Sequence, residues 1–280
     1  MIEIRLIQSH EEYRAVEQLQ RAAWGLAEVE VVPHHMLVTI QKNGGLLLGA
    51  FEPCPQGGER MVGFVLGFPG RTPDGRAKHC SQMAGVLPDC QNRNIGYRLK
   101  LAQRECVLGQ GLDWVTWTFD PLESRNAQLN FRKLGATCRT YLRDFYGDMR
   151  DALNAGMPSD RFQVDWHVAS SHVTARLDGR DSFPTLSERL AAGAALLNPL
   201  QMLPPPLSAL PENEWILVQI PADFQALKST DVELARAWRL QTRALFETAF
   251  AAGYTATDLL FEKGKSYYLL RNSDSAPIKC

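Results

Sequence analysis

The sequence lacks a long apolar segment and an excess of charge of either sign. Its longest apolar stretches, GGLLLGAF and MVGFVLGF, are too short to cross a bilayer, and the opening MIEIRLIQSHEEY has no apolar core of the kind found in signal peptides. Lys and Arg together number 30 against 31 Asp and Glu, without a basic block that would attract a polyanion. We therefore expect a cytoplasmic protein that binds neither membranes nor nucleic acid.

Cysteine is also scarce, with 6 residues in 280, and none of them has CxxC or CxxxH spacing. This spacing argues against a zinc site and against a disulfide framework, so we expect reduced thiols and no metal cofactor. A cysteine hydrolase built on Cys80 or Cys90 is disfavoured, because neither thiol lies in a nucleophile-elbow sequence.

Apolar periodicity predicts alternating strands and helices over the first 150 residues. Ile2, Ile4 and Leu6 alternate with charged residues as in a strand, and Ser9 then stands where a helix N-cap is expected. Further helices are predicted at 33–44, 95–109 and 127–134, and further strands at 46–51, 61–68, 77–88, 113–120 and 137–147.

After residue 150 the pattern changes. Strands are predicted at 160–170, 171–179, 214–221, 255–262 and 266–272, a long helix at 231–253, and a Pro-rich connection at 198–214. The chain is long for one domain, so we predict an α/β (α+β) protein with domains at 1–150 and 151–280. The late strand, helix and strand also suggest a diverged copy of residues 78–119.

The segment VLPDCQNRNIGYRLK, residues 86–100, joins a predicted strand to a predicted helix. The first N–H groups of a helix lack intrahelical partners and bind phosphate groups well. Residues 91–96 would bring several such N–H groups and the Arg93 guanidinium together. Two interpretations stay open at this point: a pyrophosphate site, or a polar left-handed turn that only starts a helix.

The element order over residues 1–147, with VLPDCQNRNIGYRLK and NAQLNFRKLGA, resembles the GNAT acetyltransferase superfamily. The resemblance implies a mixed, mostly antiparallel twisted sheet flanked by helices, and acyl-CoA as co-substrate. The predicted C-terminal α/β lobe lies outside the part of the chain that carries the resemblance. Carried over position by position, it assigns to the coenzyme A site Val86, Leu87, Gln91, Asn92, Arg93, Asn94, Ile95, Gly96, Tyr97, Asn126 and Phe131.

Two residues depart from the family pattern. Asn94 replaces the first glycine of the signature, but Asn tolerates a positive φ better than other residues with a side chain, so the loop can keep its shape. Phe131 stands where many members carry a tyrosine that protonates the departing thiolate. Two functions therefore stay open: an N-acyltransferase that protonates the thiolate by another route, and a catalytically silent module that binds coenzyme A or a metabolite.

The stretches WTFDPLESRNAQLNF and PSDRFQVDWHV are similar to a narrower GNAT group, the N-succinyltransferases encoded with N-succinylamino acid racemases. This similarity implies an acetyl-CoA or succinyl-CoA donor and a small-molecule amine, such as an amino acid, as acceptor. We also expect a homodimer, because soluble enzymes commonly pair.

Acyl transfer to an amine requires an oxyanion donor and a base. In the family a splay or bulge of the fourth strand exposes backbone N–H groups, which implies Val86 and Leu87 as donors. Base candidates are His34, His35 and Glu30, with Glu28, His79 and Ser81 as rivals.

Three further residues are candidates for binding the acceptor. Gln82 lies on the fourth strand, Arg161 offers a planar fork for a carboxylate, and Trp166 offers an apolar wall. The alternative is that Asp160 and Arg161 fix the start of a strand and that Trp166 belongs to the core.

Overall fold

A computed structural model describes residues 2–149, 151, 154–199 and 210–272. The chain folds into two units, Met1–Trp117 with Met149–Gly156, and Thr118–Asp148 with Met157–Cys280. These units do not follow the predicted boundary at residue 150, and the division into functional domains at 1–150 and 151–280 stays a prediction. No helix among the described residues is long and apolar enough to cross a membrane.

The first unit is built on a mostly antiparallel sheet. Its strands lie in the order β1 (Glu3–Leu6), β2 (Leu46–Pro53), β3 (Glu59–Arg71), β4 (Ala77–Val86) and β5 (Trp114–Phe119). Neighbours among the first four run antiparallel, whereas β5 runs parallel to β4. This parallel pair follows from the crossover through the helix that separates β4 from β5.

Helices cover both faces of this sheet. Helix α1 (His10–Trp24) has Ser9 as its N-cap, as the sequence predicts, and Ser9 also forms a capping box with Glu12. Because side chains alternate along β2, Leu47 packs with α1 and α2 (His34–Lys42), while Leu48 packs with α3 (Ile95–Gly109).

The remaining strands of the sheet belong to the second unit. Its strands lie in the order β7 (Arg161–His167), β6 (Thr137–Leu142), β10 (Tyr254–Glu262), β11 (Lys265–Asn272), β9 (Trp215–Ile220) and β8 (Ala195–Leu196). All pairs are antiparallel except β8 with β9. The predicted α/β class, with mostly antiparallel sheets flanked by helices, is confirmed.

The helices of the second unit include the long one that the sequence predicts, α8 (Val232–Ala251), which Asp231 caps. The others are α4 (Ser124–Ala127), which continues as a π-helical turn over Gln128–Lys133, α5 (Ser171–Leu177), α6 (Leu186–Ala191) and α7 (Phe224–Thr230). In the π-helical turn the Leu134 N–H donates to the Leu129 carbonyl, five residues back, at 3.0 Å.

The strand predicted at 171–179 is wrong, because Ser171–Leu177 form α5. Ser170 caps this helix by accepting a hydrogen bond from the Val173 N–H at 3.3 Å. Val173 and Arg176 are then buried on one side of the helix, and their spacing of three suits a helix and not a strand. Of the predicted connection 198–214, residues 200–209 lie outside the described part of the chain.

Candidate functional site

Strand β4 pairs with β5 over a short stretch only. Its pairs with β5 are His79 with Val115 and Cys80 with Thr116, whereas its pairing with β3 continues to Val86. Among the described residues of this unit, the later part of β4 has no partner strand on the β5 side. One edge of β4 is therefore open towards its carboxyl end.

A β-bulge lies where this open edge begins. Leu66 of β3 opposes Met83 of β4, and the next residue, Gly67, opposes Ser81, so Gln82 is the extra residue. The Gln82 side chain is exposed. The bulge changes which face of the sheet the following residues of β4 point to.

The backbone N–H groups after the bulge alternate between the two edges of β4. The Leu87 N–H donates to the Val62 carbonyl of β3 at 2.9 Å and is therefore engaged. Because successive N–H groups of a strand point in opposite directions, the Val86 N–H points to the open edge. Of the two predicted oxyanion donors, only Val86 thus has its N–H on the edge of β4 that is no longer paired with β5.

Helix α1 packs against β4 next to this position. A Cβ atom on Gly85 would lie 2.8 Å from the Trp24 indole, so only glycine allows this approach. The same indole meets the Phe64 ring edge to face, with 5.9 Å between ring centres. The Trp24 side chain thus covers β4 one residue before Val86.

The loop after β4 turns into α3 through two left-handed asparagines. A 3₁₀ turn spans Pro88–Cys90, and Asn92 and Asn94 then have φ values of 62° and 57°. The expectation that Asn94 supplies the positive φ normally given by glycine is confirmed. The first N–H groups of α3, which follow directly, have no intrahelical acceptors.

Two ion pairs join this loop to the β2–β3 hairpin. Arg93 Nη2 lies 2.8 Å from Glu52 Oε2, and Arg60 Nη2 lies 2.6 Å from Asp89 Oδ2. Arg93 Nη1 also lies 3.4 Å from the Cys90 thiol. The hydrogen bond from Arg93 holds the pKa of Glu52 below its usual value. A phosphate ligand of Arg93 would therefore compete with a carboxylate already in place.

A buried lysine lies between α3 and β4. Lys100 Nζ donates to Ser81 Oγ at 2.7 Å and to Gln103 Oε1 at 3.1 Å, and it lies 4.0 Å from the centre of the Trp117 ring. Burial lowers the pKa of Lys100 to about 7. Ser81 immediately precedes the bulge, so this ammonium connects α3 to the point where β4 leaves β5.

His79 belongs to the same buried network. Its Nε2 accepts a hydrogen bond from Gln103 Nε2 at 3.1 Å, and burial, with the charge of Lys100, lowers its pKa to about 4. A Cβ on Gly67 would lie 2.1 Å from His79 Nε2, so the imidazole packs directly against the backbone of β3. This environment favours a structural role for His79 over that of a base.

His34 is oriented by a carboxylate that the sequence analysis did not single out. Its Nδ1 lies 3.0 Å from Glu17 Oε1, and its backbone N–H donates to the same oxygen. The Glu17 carboxylate thus fixes the imidazole at the first residue of α2. The two residues are 17 positions apart in sequence, so no local pattern connects them.

The other base candidates differ from His34 in their surroundings. His35 is exposed, with its ring centre 5.8 Å from that of His34. Glu30 lies in a 3₁₀ turn and accepts a hydrogen bond from the Ala27 N–H at 3.3 Å. Glu28 forms a two-point ion pair with Arg21, at 2.6 and 2.9 Å.

The remaining predicted site residues belong to the second unit. Asn126 is exposed on α4. Phe131 is fully buried, with its ring centre 5.5 Å from that of Tyr268 and 6.0 Å from that of Phe119. An aromatic core therefore surrounds the position that lacks the tyrosine hydroxyl.

Arg161 and Trp166 are buried as well. Arg161 Nη1 donates a hydrogen bond to the Asp160 backbone carbonyl at 2.9 Å. The Asp160 carboxylate accepts hydrogen bonds from Nε and Nη2 of Arg243, each at 2.8 Å. Trp166 Nε1 donates to the Leu134 carbonyl at 2.8 Å. These contacts match the alternative in which Asp160 and Arg161 fix a strand start and Trp166 belongs to the core.

No family model and no curated protein sequence matches the chain. Among solved structures, it is similar to an acetyltransferase of the GNAT family from Desulfovibrio desulfuricans, at 16% identity and a TM-score of 0.47 over 60% of this chain and 100% of the other. The Escherichia coli ribosomal-protein-S18-alanine N-acetyltransferase has 14% identity and a TM-score of 0.46, over 61% and 96%. A GNAT acetyltransferase from Brucella melitensis, solved with acetyl-CoA, has 18% identity and a TM-score of 0.37, over 45% and 80%.

Proposed function

We propose that the chain is an acyl-CoA-dependent N-acyltransferase of the GNAT superfamily, in which the amine of a small molecule attacks the thioester directly. The observation that supports this most is the open edge of β4. The Val86 N–H points to that edge, two residues before a loop whose left-handed Asn92 and Asn94 lead into the start of α3. An N–H directed at an open strand edge can stabilise the oxyanion of a thioester, and a helix start beside it can bind the phosphates of the acyl carrier.

The loop would hold the pyrophosphate of coenzyme A. The N–H groups at the start of α3 and the Arg93 guanidinium supply donors of the right charge. The backbone of Val86 and Leu87 would run along the pantetheine arm, and Gln91 and Tyr97 would flank the phosphates.

In the proposed mechanism, the amine attacks the thioester carbonyl and the Val86 N–H donates to the oxygen as negative charge develops on it. His34 would take the proton of the amine on Nε2, because its Nδ1 is directed at Glu17. The C–S bond then breaks, and the thiolate is protonated by solvent, since Phe131 has no hydroxyl group.

We further propose that the donor is acetyl-CoA or succinyl-CoA and that the acceptor is an amino acid or a similar amine. The support is the similarity of WTFDPLESRNAQLNF and PSDRFQVDWHV to the N-succinyltransferase group. A role for Arg161 in binding the acceptor carboxylate would require its side chain, now 6% exposed, to become accessible.

The buried Phe131 favours a second candidate, a silent module that binds coenzyme A without turning it over. A thiol-release screen separates the two. The full chain is incubated with acetyl-CoA or succinyl-CoA and, in turn, with D-amino acids, L-amino acids and polyamines. Steady thiol release that depends on one amine supports the transferase, and a rise in melting temperature with acyl-CoA but no release supports the silent module. If the chain shows neither thiol release nor a rise in melting temperature, both candidate functions are contradicted.

A further inference from the structure

The second unit contains another bulged strand with an open edge. Strand β10 pairs with β11 along its length, and its register shifts between Ala256 and Asp258, so Thr257 is the bulge residue. On its other side, β10 pairs with β6 among the described residues at Ala256 with Cys138 alone. Beyond that point the π-helical turn Gln128–Lys133 packs beside β10.

The hairpin turn determines which backbone groups of β10 face this open edge. Lys263 and Gly264 have φ values of 52° and 73°, which is the conformation of a two-residue type I′ turn. In such a hairpin the flanking pair, Glu262 and Lys265, exchanges both backbone hydrogen bonds. By alternation, the N–H and C=O of Phe261 point away from β11 and towards the open edge.

A cavity of about 470 Å³ lies along this edge. Its walls are Gln128 and Arg132 of the π-helical turn, residues 184–187 before and within α6, and Leu259–Glu262 of β10. All of these residues belong to the second unit. The volume is within the range of small-molecule sites.

Arg132 provides a cation at one wall of the cavity. Its Nη1 donates to Asp258 Oδ2 at 2.6 Å and to the Pro184 carbonyl at 3.3 Å. In the described part of the chain, Nη1 is the donor in both hydrogen bonds of this guanidinium. Asp258 is shared with Arg176, whose Nη1 lies 3.5 Å from Oδ1. The Arg132 guanidinium therefore keeps Nε and Nη2 for a ligand, on a side chain that is 22% exposed.

Glu262 provides an anion at the strand wall of the same cavity. Its Oε1 accepts a hydrogen bond from Ser187 Oγ at 3.3 Å, which holds the carboxylate beside the α6 segment. The cavity thus has a guanidinium on the helical wall, a carboxylate on the strand wall, and a strand edge towards which the N–H and C=O of Phe261 point.

We propose that this cavity binds a zwitterionic dipeptide. The carboxylate of the ligand would pair with Arg132, its ammonium with Glu262, and its peptide group with the Phe261 backbone, as when a short strand is added to a sheet edge. A free carboxylate and a free amine on one extended molecule match the two charges and the edge together. This proposal does not depend on the acyltransferase activity.

The test is calorimetric titration of the full chain with three probes: alanyl-alanine, its C-terminal amide and its N-acetyl form. The account predicts binding of alanyl-alanine and about 10-fold weaker binding of each blocked form, because each loses one charged hydrogen bond. Absence of alanyl-alanine binding, or equal binding of all three probes, would overturn the proposal.

Substitutions at Glu262 and Arg132 test the binding of the ligand's ammonium and of its carboxylate separately. Glu262→Gln should weaken alanyl-alanine about 10-fold and leave the N-acetyl form unchanged, while Glu214→Gln, on an exposed carboxylate paired with Arg271, should change neither. Arg132→Lys keeps a charge for Asp258 and should remove the preference for the free carboxylate. If Glu262→Gln affects the free and acetylated probes equally, the assignment of the ammonium to Glu262 is wrong.

Discussion

The Lys100 ammonium donates a hydrogen bond to Ser81 Oγ at 2.7 Å, from the second turn of α3 to the residue of β4 that precedes the bulge. This contact joins the helix that starts at the proposed coenzyme A loop to the strand that carries the proposed oxyanion donor. It is made by a buried cation without a carboxylate partner among the described residues, and its strength therefore depends on pH.

The pH dependence of stability should report this lysine. Its pKa falls from 10.5 to about 7 on folding, so between these values the unfolded chain binds more protons and the unfolding free energy rises with pH. The contribution is at most about 1.4 kcal/mol per pH unit. Denaturant unfolding from pH 6 to 10 should show this rise in the wild type and in Lys42→Met, an exposed control, but not in Lys100→Met. Equal slopes in the three proteins would refute the buried position of Lys100.

Removal of Glu52 should strengthen binding of acyl-CoA. Glu52→Gln releases Arg93 from its ion pair, and because ion pairs near the surface contribute little, KM for acyl-CoA should fall modestly, by about 5-fold at most. Arg93→Gln should raise KM, and Glu59→Gln, whose partner is Arg5, should leave it unchanged. A higher KM in Glu52→Gln would mean that Glu52 positions Arg93 for the phosphate instead of competing with it.

His34 and His35 offer a matched pair for the base. Loss of a general base costs about 10²-fold to 10⁴-fold in rate, so His34→Gln should lower kcat by at least about 100-fold. Glu17→Gln should lower kcat by a smaller factor, since it leaves the imidazole in place but less well oriented. His35→Gln, on the exposed neighbour, is the control. Similar kcat values for the His34 and His35 variants would exclude His34 as the base.

Phe131 should behave as a core residue. Phe131→Ala should cost about 3–5 kcal/mol of unfolding free energy, because the side chain is fully buried against Tyr268 and Phe119. Phe131→Tyr buries a hydroxyl and should cost about 1–3 kcal/mol without a gain in thiol release, whereas Phe145→Tyr, on an exposed ring, should be neutral. Faster thiol release by Phe131→Tyr at unchanged stability would instead put this position in the active site.

Local sequence patterns predicted much of this fold. The Ser9 N-cap, the long helix after Asp231 and the left-handed Asn94 each depend on residues close together in the chain, and the structure has each of them at the predicted position. The π-helical turn was predicted only as a helix around residues 127–134. The strand predicted at 171–179 is wrong because Ser170 caps a helix there, and a single N-cap residue is a weak signal in the sequence.

The contacts that define the site could not be predicted in the same way. Glu17 meets His34 from 17 residues away, and Ser81 meets Lys100 from 19 residues away, across two elements. The bulge at Gln82 depends on how β3 and β4 pair, which their individual patterns do not specify. Which N–H of β4 faces the open edge follows only from that pairing.

Thiol release by proline variants of β4 measures how much the Val86 N–H stabilises the oxyanion. Val86→Pro removes this N–H and leaves the Leu87 bond to Val62 in place, while Ala84→Pro removes another N–H on the same edge as a control. We expect amine-dependent thiol release by the wild type and a fall in kcat of about 100-fold or more in Val86→Pro, with acyl-CoA still raising the melting temperature. An equal fall in Ala84→Pro, or an unchanged kcat in Val86→Pro, would show that the Val86 N–H is not the oxyanion donor.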